Sequence, residues 1–461
     1  MIVRGGAIVR ADATHPTVGD IVIRDGLIAE ITEPNAVPPT EDEIDATGCV
    51  VMPGVVDPHV HFGISAPVGE DFVTESRAAA HGGVTTVISF NKSMGSYHDV
   101  VPGWIETAAA NSHVDFAFHL GVFTDQHVAE LSEYVERYGV SSFKFFMSYR
   151  GVERSKFGID NLLDDAFLFE LLRVFGAHPA LPRLCVHCEN MELVRDATKR
   201  LGRTVTDLRD WHTVRSGWSE ADAMVRTLLY AEATGANVYI VHVSSKEAAS
   251  RARWAAQRMR PEQAVFESCP HYLALDIDEA QDRVGVLAKV NPPVRSRQDS
   301  DALWLAIRDG TITTIGSDHV PRPRATKVGD GTFMSATAGF PGLELTLPLL
   351  ITTGAEYGVD VADVARLTAT NPAATFGLGA TKGRIDIGYD ADLVVVDTNE
   401  QRTVRAADML SSSGYSPYEG MTLRGWPRAT VLRGVAIMRD GVITSPSGHG
   451  RYLRQEPGSR A

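Results

Sequence analysis

Two histidines one residue apart, His59 and His61, close the stretch Val56-Asp57-Pro58-His59-Val60-His61. Side chains two positions apart on a strand share a face, so the pair offers two imidazoles to one divalent cation. An isolated pair of this kind also fits ordinary core or surface histidines, and further ligand-type residues at other strand ends decide between the readings. His187 lies in Cys185-Val186-His187-Cys188-Glu189-Asn190, and His242 in Val241-His242-Val243-Ser244-Ser245. Asp318 lies in Ile315-Gly316-Ser317-Asp318-His319. A carboxylate there can ligate a metal and carry a proton of its bound water, or cap the segment that follows. Lys144 interrupts the otherwise apolar Ser142-Phe143-Lys144-Phe145-Phe146-Met147. Such a lysine either snorkels to an edge or, desolvated into its neutral nucleophilic form, reacts with carbon dioxide to give a carbamate that can bridge two metals.

These residues act together only if the chain brings their strand ends to one place. Apolar strand-like runs recur at residues 84–90, 115–122, 142–149, 183–188, 238–243, 264–269 and 313–317, and the His59 strand makes eight. Helical patterns separate them, among them an alanine-rich run at 72–80 stopped by Gly82-Gly83 and a longer one at 220–234. Eight such units predict an α/β fold, a (β/α)8 TIM barrel with its functional side chains at the carboxyl ends of the strands. An open doubly wound sheet is the alternative, and the regularity of the units favours closure. Residues 49–55 read as one buried strand leading into the histidine pair. Cys185 and Cys188, three apart, face opposite sides of a strand and are expected to be core residues that share no ion. His319 is expected behind the ligands or at the surface, and His119 and His271 are expected to be structural.

Both ends of the chain read as β-structure. Asp25-Gly26 separates two short strands, and Asp440-Gly441 separates the run at 433–438 from Val442-Ile443; both pairs signal type I′ hairpins. With a further strand at 391–397, the termini are expected to meet in a small β-sandwich domain. The expected partition is 1–50 and 383–446 for the two parts of that domain, 51–382 for the barrel and 447–461 for a tail.

A chain of 461 residues with 44% hydrophobic and 22% charged residues suits a large globular protein. Its net charge of −14, without a long basic run, argues against a nucleic-acid or anionic-membrane partner. No apolar stretch resembles a signal peptide or a membrane span. Four cysteines, Cys49, Cys185, Cys188 and Cys269, are too sparse for a disulfide framework, which points to a reduced, cytoplasmic protein. No glycine-rich nucleotide motif stands at the first βα turn.

Taken together, the HxH pair, Lys144 followed by Phe146-Met147-Ser148-Tyr149, and the motifs around His187, His242 and Asp318 resemble the amidohydrolase superfamily. Within it, the chain is most similar to the hydantoinase/dihydropyrimidinase group of cyclic amidases. Supporting stretches include Gly82-Gly83-Val84-Thr85-Thr86, Cys269-Pro270-His271-Tyr272-Leu273, Gly339-Phe340-Pro341-Gly342, Thr370-Asn371-Pro372-Ala373, Pro417-Tyr418-Glu419-Gly420 and Gly450-Arg451-Tyr452-Leu453. The resemblance implies two divalent metal ions, most often Zn2+. His59, His61 and Asp318 would hold one ion, and His187 and His242 the other, with N6-carboxylated Lys144 and a hydroxide bridging them. It implies attack of that hydroxide on the ring carbonyl of a hydantoin or dihydropyrimidine, giving an N-carbamoyl amino acid. Asp318 would then shuttle the proton, Tyr149 would donate to the oxyanion, and main-chain groups near Asn291 and Ala338 would hold the ring amide. A homotetramer or homodimer is the family's expectation.

Where dihydroorotases carry an arginine two residues after the second histidine, this chain has Gly63, which argues against that activity. Residues 63–71 and 91–95 are expected to form lid loops selecting the ring substituent. Residues 150–156 are more polar than in a typical hydantoinase, and 211–218 lacks the usual Arg-Pro pair. Allantoinase is the alternative within the enzyme class, sharing the metal set and a Cys-Pro-His-Tyr stretch. A catalytically silent scaffold, as in collapsin response mediator proteins, is the alternative from another class, and the filled ligand set favours the enzyme.

Overall fold

The computed structural model of the protein describes residues 1–10, 15–149 and 163–456; the segment 150–156 singled out above lies outside them. Eight strands, β1 (Val55–Val60), β2 (Val84–Asn91), β3 (Asp115–Gly121), β4 (Ser142–Phe146), β5 (Arg183–His187), β6 (Asn237–Ile240), β7 (Ala264–Ser268) and β8 (Thr314–Ile315), pair in chain order. Every neighbouring pair is parallel. A parallel bridge between Val60 and His319, with the His61 amide donating to the His319 carbonyl at 2.9 Å, joins the two ends of the series and closes the ring. All eight expected strands are present, and they form the (β/α)8 barrel.

Side-chain alternation sorts each strand between two environments. Phe143, Phe145, Leu184, Val186, Val238, Ile240 and Phe266 face the helices in the main core. Ile88, Phe90, Ala117, Cys185, Tyr239 and Val265 form a second cluster. Lys144, His187 and Glu267 share the phase of this second set, so polar groups that the helix-facing layer would exclude point into the ring. Cys185 and Cys188 fall in different clusters, as residues three apart on a strand should.

Strands from both termini make a separate nine-stranded mixed sheet. Its edge strand Leu27–Thr32 meets residues 388–391 through a Leu27–Asp390 bridge and the Ile28 amide to Tyr389 carbonyl bond at 2.9 Å. The sheet thus folds back over a core that mixes both ends, with Val3, Ile21 and Val51 beside Leu393, Val395 and Val431. The hairpins at Asp25-Gly26 and Asp440-Gly441 both have positive φ at their two residues, as type I′ requires. A third such turn, Arg433-Gly434, takes the first two residues of the run expected as one strand over 433–438, and the strand begins at Val435.

The apolar run at 49–55 is likewise not one strand. Val50–Pro53 pairs with Ile2–Ile8 and Leu393–Thr403 in the terminal sheet, and Val55 begins β1 of the barrel. The chain changes sheets at Gly54, where a Cβ would lie 2.3 Å from the Thr85 side chain. Below the barrel, the buried Lys382 ammonium is 2.7 Å from both Asp115 and Asp392 and 3.0 Å from Asp390, tying the foot of β3 to the terminal sheet. Residues 450–456 thread the same end, pairing with Phe116 and placing Leu453 against the second cluster. Among the described residues, no helix is long and apolar enough to cross a membrane.

Candidate metal centre

His59 sits in β1, and His61 follows its last residue. His59 Nε2 and His61 Nε2 lie 3.2 and 3.1 Å from the same oxygen, Asp318 Oδ1. One ligand atom from each of the three residues falls within 4.8 Å of the others. His59 Nε2 is buried and, despite that approach, makes no hydrogen bond. An orphaned imidazole nitrogen and a carboxylate aimed at one point fit a divalent cation with N and O ligands.

The remaining candidates join the same cluster. The His242 ring stacks 5.6 Å from that of His59, and the His187 ring lies 4.6 Å from that of His242. Lys144 is buried, with its Nζ 4.3 Å from the Phe90 ring centroid and 5.2 Å from that of Phe146. Among the described residues it makes no ion pair. Burial lowers its pKa toward the neutral amine, the form that a carbamate requires. Burial likewise lowers His59 to about 3 and His61 to about 4, and lowers His187 and His242, so all four imidazoles are neutral donors of the kind metals bind. Burial alone would raise the Asp318 carboxyl, and His59 and His61 beside it reverse the sign, holding it ionised.

Local structure sets these positions. His187 and His242 each stand three residues before a helix N-cap, Asn190 for Met191–Leu201 and Ser245 for Lys246–Ala256. His242 and Asp318 lie beyond their strands and take left-handed φ values of +45° and +50°. Such conformations cost about 1–3 kcal/mol each and persist where surrounding structure fixes them. Gly316 is required here, since a Cβ would fall 2.6 Å from both Glu267 Oε2 and His59 Cβ.

A layer of buried acids behind the ligands escaped the sequence reading. Glu267 Oε1 is 2.7 Å from His59 Nδ1 and accepts the His242 amide at 2.9 Å, and Tyr239 donates to Oε2 at 2.9 Å. Burial pushes this carboxyl up to about 8. Glu189 holds His187 Nε2 at 2.7 Å and accepts from Arg215 at 2.6 Å, leaving His187 Nδ1 for the centre. Asp57 Oδ1 accepts the amides of His59 and Ser317, pinning β1 to the Asp318 loop. Acids in the same strand phase as the ligands were the available signal. Partners of this kind orient the ring and strengthen it as a ligand. Glu267→Gln is therefore expected to weaken metal affinity about ten- to a hundredfold with the fold intact, read by titration against a chelator; unchanged affinity would remove this role.

His319 is buried, with Nε2 3.0 Å from Glu75 and Nδ1 accepting the amides of Gly342 and Leu343. It therefore stands behind the ligands and not at the surface. His119 is structural as expected, bonded through both nitrogens to Ser142 Oγ and the Pro58 carbonyl. Buried His271 has neither ring nitrogen bonded. Tyr149 stacks on Phe146 at 4.4 Å, and burial raises its phenol, keeping it a donor. A cavity of about 230 Å³ opens beside His61 and Lys144, lined by Tyr149 and by Gly63, Ile64, Pro67, Val68, Asn91 and Lys92 of the two expected lid loops. Asn291 Oδ1 accepts from Trp211 Nε1 at 3.0 Å, the Ala338 carbonyl accepts from Arg322 Nε at 3.2 Å, and the Gly339 amide bonds the Lys289 carbonyl, so the Asn291 and Ala338 segments adjoin.

The amidohydrolase family matches residues 185–437, and a dihydro-orotase-like family matches 48–248. An allantoinase of Rubrobacter xylanophilus is 34% identical, covering 100% of this chain and 99% of its own length. A D-hydantoinase of Ralstonia pickettii is 32% identical over 99% of this chain and 98% of its own. The crystal structure of a dihydropyrimidinase from Brevibacillus agri superposes with a TM-score of 0.89 at 29% identity, covering 100% of this chain and 99% of that one. With its barrel, its clustered histidines and this end-to-end likeness, the chain belongs to the amidohydrolase family.

Proposed function

We propose that the protein hydrolyses the ring of a cyclic amide or ureide of the hydantoin or dihydropyrimidine type to an N-carbamoyl amino acid. The observation that carries this reading is the convergence of His59, His61 and Asp318 on one point, beside His187, His242 and a buried Lys144 without an anionic partner among the described residues. In this reading His59, His61 and Asp318 would hold one divalent ion, His187 and His242 a second, and N6-carboxylated Lys144 would supply an anionic ligand, with zinc as the metal. When bound, the ions polarise the amide carbonyl and acidify water at the centre.

Hydrolysis breaks the ring's C–N bond, placing the water oxygen on carbon and a proton on nitrogen. Asp318, ionised in the resting site, takes the proton and delivers it to the leaving nitrogen. The Tyr149 phenol donates to the oxygen that gains charge. Main-chain groups near Asn291 and Ala338 hold the ring amide, and the apolar wall beside Tyr149 shields it from bulk water. The 34% identity to an allantoinase favours allantoin as the second ring to test. The reading also takes the enzyme as cytoplasmic and as a homotetramer or homodimer.

Metal-loaded protein is expected to open at least one ring among hydantoin, 5-substituted hydantoins, dihydrouracil, allantoin and a cyclic imide, followed by chromatography of the ring-opened product. Turnover of none would leave the silent-scaffold alternative standing.

A further inference from the structure

Most buried cations of this protein are matched to acceptors. Arg215 pairs with Glu189 at 2.6 Å, Arg295 reaches Glu220 at 3.4 Å, and Arg183 uses both terminal nitrogens on the carbonyls of Val238 and Glu262. Lys327 Nζ donates to three carbonyls, those of Lys289, Thr337 and Gly339, and Lys289 Nζ donates to those of Phe333 and Ala336. Arg322 differs. It is partly buried and uses only Nε, on the Ala338 carbonyl at 3.2 Å, with no ion pair among the described residues. Its two terminal nitrogens, which carry four of the five N–H donors of the group, have no protein acceptor there.

The position of this guanidinium gives it meaning. It is anchored to Ala338, where the proposed function places the ring amide, and its charge reaches Tyr149, Tyr415 and Lys92. The charges of Arg322 and Lys289 add to burial in lowering Lys327, so three cations crowd the segment that ends in Gly339. The adjoining cavity carries Lys92 on its wall beside the candidate metal centre, and no Asp or Glu stands among the described residues that line it. A chain of net charge −14 has acids to spare for pairing, yet none is among the described residues that line this cavity. Desolvated guanidinium forks bind carboxylates in two parallel hydrogen bonds.

We propose that the natural substrate is a cyclic ureide whose ring substituent bears a carboxylate, and that the free fork of Arg322 binds it. This rests on the ring-opening reading and deepens it. Lys92, on the cavity wall, adds to the field that draws the anion in, and the apolar side chains beside it contact the link between carboxylate and ring.

The test uses full-length, metal-loaded protein and two nearly isosteric probes, 5-carboxymethylhydantoin and its neutral carboxamide. The acid is expected to be opened with at least tenfold higher kcat/KM, through a lower KM, and the preference is expected to shrink as salt is raised. In Arg322→Met the ratio of acid to carboxamide is expected to fall at least tenfold, with Arg322→Lys restoring part of it; thermal unfolding of each variant checks the fold. Equal rates for the two probes in the wild type, with the carboxamide opened, would overturn the inference and leave the ring-opening reading intact. An unchanged ratio in a folded Arg322→Met would overturn it as well. Failure to open either probe or any ring of the panel would sink both readings together.

Discussion

Replacing Lys144 by alanine is expected to empty the centre of metal and to abolish turnover. The lysine is buried, and burial costs its ammonium form more than the Phe90 and Phe146 rings and the charges of Glu267 and Asp318 return. A carbamate at its tip would supply the bridging anion that the four neutral imidazoles lack. Loss of several kcal/mol of charge stabilisation, at about 1.4 kcal/mol per tenfold in rate, gives a fall of about 10³-fold or more. Added formate, acetate or propionate should restore part of both metal content and rate, because the alanine leaves room for a small carboxylate. Full metal content in the variant, without any rescue, would remove Lys144 from the centre.

Asp318→Ala should leave a folded protein that turns over about 10²–10⁴-fold more slowly, the range that a positioned proton carrier contributes. Its oxygen lies against His59 and His61 at 3.2 and 3.1 Å, so the substitution would also remove a candidate metal ligand. Asp318→Asn separates the two roles: it keeps a coordinating oxygen and loses the basic one, so metal should stay while rate falls. A near-normal rate in Asp318→Asn would exclude Asp318 as the proton carrier. Circular dichroism and metal analysis of both variants distinguish loss of chemistry from loss of structure.

The candidate ligands were legible because they are local. His59 and His61 share a strand face by spacing alone, Lys144 interrupts an apolar run, and His187, His242 and Asp318 each mark the end of one. The acids behind them were not, since Glu267 meets His59 across 208 positions and that pairing exists only after the barrel closes. The apolar run at 49–55 hid its division because strands buried on both faces look alike in either sheet. Arg433 takes a left-handed turn that its residue type does not announce. The folded chain holds it there through Asp115 and through a 2.6 Å bond to the His449 carbonyl. Arg322 carries no motif at all, and only the comparison with its satisfied neighbours in space sets it apart.

The passage through Gly54 ties the candidate metal centre to a sheet outside the barrel. Val50–Pro53 is locked between Ile2–Ile8 and Leu393–Thr403, and five residues after Gly54 the chain delivers His59. The terminal sheet therefore works as a ruler for the strand that carries His59. A slip of one residue between Val50–Pro53 and its neighbours would turn His59 and His61 toward the helices, so grafts between relatives must exchange residues 50–61 together with the sheet that measures them out.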